Sequence, residues 1–88
     1  MTLRFSGLLL RFVDYQRTVA LPASTLGEAL TLLEQRYPQL RPVLQDNTGK
    51  LRGTHRLFVN GQLVAHPNDA MSLAEEDDVE FLTAIAGG

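Results

Sequence analysis

No cysteine occurs anywhere in the chain. Disulfides, thiolate metal sites and a cysteine nucleophile are all excluded by that one absence. The core must therefore hold an 88-residue domain together without covalent staples. Long hydrophobic runs are missing as well. The run Leu8-Leu9-Leu10 closes at Arg11, too short for a membrane span or for the apolar part of a signal peptide. The expectation is a cytoplasmic protein with no membrane partner. Linkers, repeats and low-complexity segments are absent too, which points to one domain.

Positive charge is missing from the last third. From Leu57 onward there are six acids and no base. All eight basic residues lie between Arg4 and Arg56, against Asp14, Glu28, Glu34 and Asp46 in the same stretch. The run Glu75-Glu76-Asp77-Asp78, followed by Glu80, gives an acidic end that repels nucleic acid. Such a run either favours a basic protein partner or is a solvated turn. Metal ligands are scarce. His55 and His66 stand eleven positions apart with no third ligand in the pattern, so no metal site is expected. Asp77 and Asp78 are adjacent on a strand and point to opposite faces, which argues against a paired-carboxylate site.

What remains is ordinary globular material, 44% apolar and 20% charged, so disorder is not indicated. The opening "TLRFSGLLLR" alternates and then turns continuously apolar, as a strand buried on both sides would, with Gly7 at a bulge. "QRTVALP" supplies a second strand with Val19 and Leu21 in phase, stopped by Pro22. Thr25 and Glu28 make a capping box. Leu26, Ala29, Leu30 and Leu33 then form one helical stripe, and Pro38 ends the helix near Arg36 or Tyr37. A short helical turn fits Leu40 to Leu44, and "QDNTGKLRG" reads as a polar loop holding the only lysine, Lys50.

"HRLFVNG" followed by "QLVA" is a hairpin, because Asn60 and Gly61 both tolerate the positive φ of a two-residue turn. Met71 and Leu73 are expected inward anchors in the irregular stretch that follows. The last strand, "DVEFLTAIA", should face the helix with Val79 and Phe81, leaving Leu82 outward. The order strand, strand, helix, strand, short strand, strand describes an α+β domain, a mixed sheet of four to five strands with one main helix across one face.

The chain finishes on "LTAIAGG". A Gly-Gly end arises by chance in roughly one chain in two hundred, so its meaning depends on the residues before it. "TLGEALTLLEQRYPQL", "FVNGQLV" and "LAEEDDVEFLTAIAGG" together resemble the MoaD/ThiS family of sulfur carrier proteins, which have the β-grasp fold of ubiquitin. The chain departs from that pattern in two places. The acidic run replaces the family's Asp-Gly-Asp turn, and Thr83 stands where proline is common. Its length and the "GKLRGTHRLFVNG" passage are more similar to CysO-type carriers than to ThiS itself.

The resemblance implies a β-grasp domain over residues 1–86 and a working tail at 87–88. The Gly88 carboxylate would be adenylated by a ubiquitin-activating-type enzyme and converted to a thiocarboxylate. Gly87 and Ala86 would thread the enzyme's channel, where side chains obstruct and glycine is permissive. The chain would bind no cofactor itself, because ATP and Mg²⁺ belong to that adenylating or sulfurtransferase enzyme. Further implied partners are a sulfur-accepting biosynthetic enzyme and a metalloprotease acting at the C-terminus. The chain itself would not be an enzyme.

Docking is expected on the open sheet face at Phe58 and Leu82. Phe58 lies in a strand apolar on both faces, so a core position is equally open to it. Two other functions remain compatible with the same terminus: a modifier joined to proteins through Gly88, and an interaction module with an inert tail.

Overall fold

Thr25 starts the main helix as its local sequence requires. Its extended backbone and Oγ1, which accepts from the Glu28 amide at 3.2 Å, satisfy one of the free N–H groups of the first turn. Glu28 reaches back, but to Ser24: its Oε1 accepts from the Ser24 amide and hydroxyl, both at 2.8 Å. The resulting helix, α1, spans Leu26–Arg36 and buries Leu26, Ala29, Leu30 and Leu33, the stripe read from the sequence. Burying each of its leucines contributes about 1.5–3 kcal/mol. Proline 38 then turns the chain through Pro38–Leu40 in 3-10 geometry into a four-residue helix, α2, Arg41–Leu44.

The computed structural model describes residues 1–52 and 55–83. Its sheet has five strands: β1 Thr2–Arg4, β2 Thr18–Ala20, β3 His55–Val59, β4 Gln62–Val64 and β5 Asp78–Thr83. Their order across the sheet is β2-β1-β5-β3-β4. β1 and β5 run parallel at the centre, and every other neighbouring pair is antiparallel. The α+β reading therefore holds, with a mixed sheet and one main helix.

The core lies between α1 and one sheet face. Leu3, Val79 and Phe81 are fully enclosed, joined by Leu57 and Val19 from the flanking strands. The Phe5 ring stacks on Phe81 with centroids 6.1 Å apart. Leu73 is buried and Met71 packs against the core's edge, as the sequence suggested. Among the described residues no polar or charged residue is buried.

The opening segment differs from its sequence reading. The strand ends at Arg4, and Gly7–Phe12 winds into 3-10 turns. Gly7 takes φ +60, which turns the chain out of the sheet direction instead of forming a bulge within it. Three successive leucines then meet three environments: Leu8 is exposed, Leu9 buried and Leu10 half-buried. A strand buried on both faces would need cover on its outer side, and among the described residues no second layer lies over the open sheet face. Leu9 and Val13 enter the core by helical spacing instead. The turn closes where the Val13 and Tyr15 amides donate to the Leu10 carbonyl.

β2 is also shorter than the "QRTVALP" stretch, although Leu21 still donates its amide to Met1 O at 3.0 Å. The reading of β5 as far as Ala86 passes, from Ala84 on, outside the described residues.

Candidate functional site

The hairpin determines which residues share a face. Asn60 and Gly61 adopt φ 52 and φ 82, so both carry the positive φ the turn demands. The two-residue turn pairs Val59 with Gln62, Phe58 with Leu63 and Leu57 with Val64. β3 in turn pairs with β5, setting Arg56 opposite Leu82, Leu57 opposite Phe81 and Phe58 opposite Glu80. Directly paired residues point the same way. Leu57, Val79 and Phe81 take the helix side, so Phe58, Leu63, Glu80, Leu82 and Arg56 take the other. β1 adds Arg4, in register with Glu80.

Phe58 and Leu82 thus lie together on the open face, both half-buried. Phe58 is not part of the core, which resolves the alternative its strand left open. Leu63 joins them and is 54% exposed. Sequence reasoning missed Leu63. The signal was available, because a two-residue turn at Asn60-Gly61 by itself sets Phe58 against Leu63. The face is an apolar patch of one aromatic ring and two leucines, edged by Arg56 and Arg4 and crossed by Glu80.

β5 leads the chain off this sheet. Thr83, the last described residue of β5, pairs with His55 at the start of β3. Ala86, Gly87 and Gly88 lie outside the described residues. Leu82 stands two positions before Ala84, close to the point of departure.

At the opposite end of β5 the acidic run is built into a turn. Asp77 accepts from the Ala74 amide at 2.7 Å and from the Asn60 side-chain amide at 2.9 Å. The Ala74 amide first, and Asn60 second, hold the Asp77 carboxyl below the usual carboxylate range. Asn60 also accepts from the Asp78 amide, so one side chain ties the hairpin turn to the start of β5. Asp78 pairs with Arg4 on the sheet surface at 2.6 Å. Two of the four acids in the run therefore have structural work there, and the run sits at the far end of β5 from the tail.

His55 hydrogen-bonds the Val43 carbonyl through Nε2 at 2.7 Å, tying β3 to α2. His66 is exposed in the loop after β4. Among the described residues no group of three or more His, Asp or Glu side chains is placed to hold a metal. No described helix is long and apolar enough to cross a membrane.

Comparison with known proteins fits this geometry. The ThiS family model matches residues 5–88. Among solved structures, CysO of Mycobacterium tuberculosis is 28% identical, with a TM-score of 0.82 over 96% of this chain and 98% of that one. The BexX/CysO complex of Amycolatopsis orientalis contains a chain with a TM-score of 0.85 at 22% identity, covering 99% and 98%. SAMP1 of Haloferax volcanii gives a TM-score of 0.83 at 22% identity, covering 99% and 97%. A search of curated protein sequences gives no significant match. The fold is therefore the β-grasp of ubiquitin-like proteins, and the relatives are small carrier proteins rather than enzymes. On the family match over nearly its whole length, this chain belongs to the ThiS family of ubiquitin-like sulfur carriers.

Proposed function

We propose that the protein carries sulfur as a thiocarboxylate on Gly88 and that a separate enzyme activates it. The observation that carries this reading is the family match extending through the terminal "AIAGG". A free α-carboxyl has a pKa of about 3.3–3.7 and is ionised at neutral pH. Its oxygen attacks the α-phosphorus of ATP, an O–P bond forms and pyrophosphate leaves. A sulfur nucleophile at the sulfide level then adds to the acyl carbon, the C–O bond to phosphate breaks and AMP departs. What remains is a C–S group, soft and nucleophilic, that a second enzyme can use. ATP and Mg²⁺ sit on the activating enzyme, and the carrier's part is presentation.

Presentation needs a rigid base and a slim tip. β5 supplies the base, fixed between β1 and β3, and Gly87 and Gly88 supply the tip, where a β-carbon would narrow the fit. The patch of Phe58, Leu63 and Leu82 is the docking face, since exposed apolar clusters near a chain's working end mark partner surfaces. The CysO of Amycolatopsis, seen with BexX, is a precedent for a second protein held by this fold.

ATP–pyrophosphate exchange with the adenylating enzyme of the source cells tests the reading. Exchange should depend on this chain, disappear when Gly88 is deleted, and show a raised KM for the carrier with Phe58→Ser or Leu82→Ser. An aromatic anchor of this kind is worth about 1–4 kcal/mol, or about tenfold for each 1.4 kcal/mol. Exchange indifferent to Gly88 would overturn it. A second reading, a protein modifier, shares the terminus and is the role written into the name "small archaeal modifier protein" borne by a chain of the same fold. Conjugation would appear as a ladder of larger species joined through Gly88.

A further inference from the structure

Charge is separated along β5 more sharply than the sequence reveals. At its start lie Glu75, Glu76, Asp77 and Asp78, with Glu28 in the first turn of α1 and Asp69 in the loop after β4 nearby. The placement follows from the Thr25–Ser72 bridge and the Gly27 amide donating to Asp69 O at 3.0 Å. Among the described residues Arg4 meets them, paired with Asp78.

The other end of β5 is basic. Arg56 pairs with Leu82. Arg52 precedes β3, its carbonyl accepting from the His55 amide and its Nε donating to Pro42 O at 3.0 Å. Arg52, His55, Arg56 and Leu63 line one groove there. On the other flank Arg11, in the 3-10 segment that follows β1, lines a second groove with Arg36 and Tyr37. The Arg36 guanidinium lies over the Tyr37 ring, 5.7 Å from its centroid. β1 is parallel to β5 and Phe5 stacks on Phe81, which places this segment at the tail end of the strand.

Acids are present here too, but most are engaged. Glu34 pairs with Arg41, and Asp46 accepts from the Thr48 and Lys50 amides. Asp14 alone lies beside Arg11 and Arg36. Among the described residues, Arg11, Arg36, Arg52 and Arg56 have no carboxylate within ion-pair distance.

We infer that Arg11, Arg36 and Arg56 form a collar around the tail's point of exit, and that this collar docks an acidic surface on the adenylating enzyme. The inference rests on the sulfur-carrier reading and names the partner's chemistry. Whatever enzyme receives the tail must sit against this end, since Thr83 is the last described residue of β5 before it. Guanidiniums left unpaired there attract carboxylates on the opposing rim, which steer encounter and fix orientation. The acidic run, at the remote end, faces away from that enzyme.

The test uses the full chain, a dialysed lysate of its own cells, ATP and sulfide, and reads thiocarboxylate formation by intact mass. Loading of the unaltered chain should slow as ionic strength rises from 0.01 M toward 0.15 M, where the screening length falls from about 30 Å to about 8 Å. The triple variant Arg11→Glu/Arg36→Glu/Arg56→Glu should load about tenfold more slowly at low salt and lose most of that salt dependence. Glu75→Gln/Glu76→Gln, at the other end, should load like the unaltered chain. All three positions of the collar are exposed, and equal thermal midpoints for the variants verify folding. If the unaltered chain loads and the triple variant matches it at every salt concentration, the collar plays no part and the inference is overturned. If the unaltered chain never loads, the carrier reading itself fails and the collar falls with it.

Discussion

Asn60 does three things at once. It takes a backbone conformation that disfavours a β-carbon branch, donates to Asp77 and accepts from the Asp78 amide. Asn60→Ala should therefore destabilise the domain by about 1–2 kcal/mol, and Asn60→Gly by less, read from denaturant midpoints. Equal losses for the two would mean that the side-chain bonds, and not the φ, govern the turn.

Three carboxyls, Glu28, Asp46 and Asp77, sit below their ordinary range, chiefly because Ser24, Thr48 and Ala74 respectively donate to them. Each binds its proton less readily folded than unfolded. Its contribution is complete above the unfolded value of about 4 and is lost as pH falls through the lower folded value. The denaturant midpoint should thus be flat from about pH 7 to 5 and decline below about pH 4. A midpoint unchanged down to pH 3 would contradict these hydrogen bonds. At this scale the sequence was partly legible: the capping box was readable from Thr25 and Glu28. That Glu28 reaches Ser24, one residue earlier, depends on a rotamer and a loop path that the motif does not specify.

Elements were legible where periodicity and turn chemistry agreed. α1 has a start signal, a stripe and a proline stop, and it formed as read. Thr25→Ala should cost about 1 kcal/mol and Leu33→Ala about 2–5 kcal/mol, the first measured as a small and the second as a large drop in thermal midpoint. The hairpin's register followed from two residues. The opening segment resisted because Leu8-Leu9-Leu10 fits a buried strand and a 3-10 turn equally well by composition. What decides between them is whether a second layer covers the outer sheet face, and that is a property of the whole fold. Phe58 was ambiguous for the same reason, since both faces of its strand are apolar. Only the pairing with Glu80 and Leu63 places it outside.

At the scale of the molecule, charge and topology combine into a direction. The sequence shows basic residues early and acids late, which suggests an acidic end next to the tail. Folding reverses that picture. β5 carries the chain away from its acidic start, and its end arrives among arginines contributed by the 3-10 segment, α1 and β3. The described part of β5 thus ends at the positive end of a polarised domain, beside an apolar sheet face. High salt should for that reason slow productive encounter with an activating enzyme more than it weakens the folded state, because exposed pairs such as Arg4–Asp78 add little stability. A salt titration that lowers the thermal midpoint in parallel with the loading rate would oppose that view.

The central claim is that Gly88 carries sulfur, and the most direct measurement is the intact mass of the protein purified from its own cells under non-hydrolysing conditions. The account predicts a species heavier by the exchange of one carboxyl oxygen for sulfur, localised to Gly88 by fragmentation and absent from a strain lacking the adenylating enzyme. A free carboxylate as the sole species in both strains, under growth that demands sulfur transfer, would contradict it.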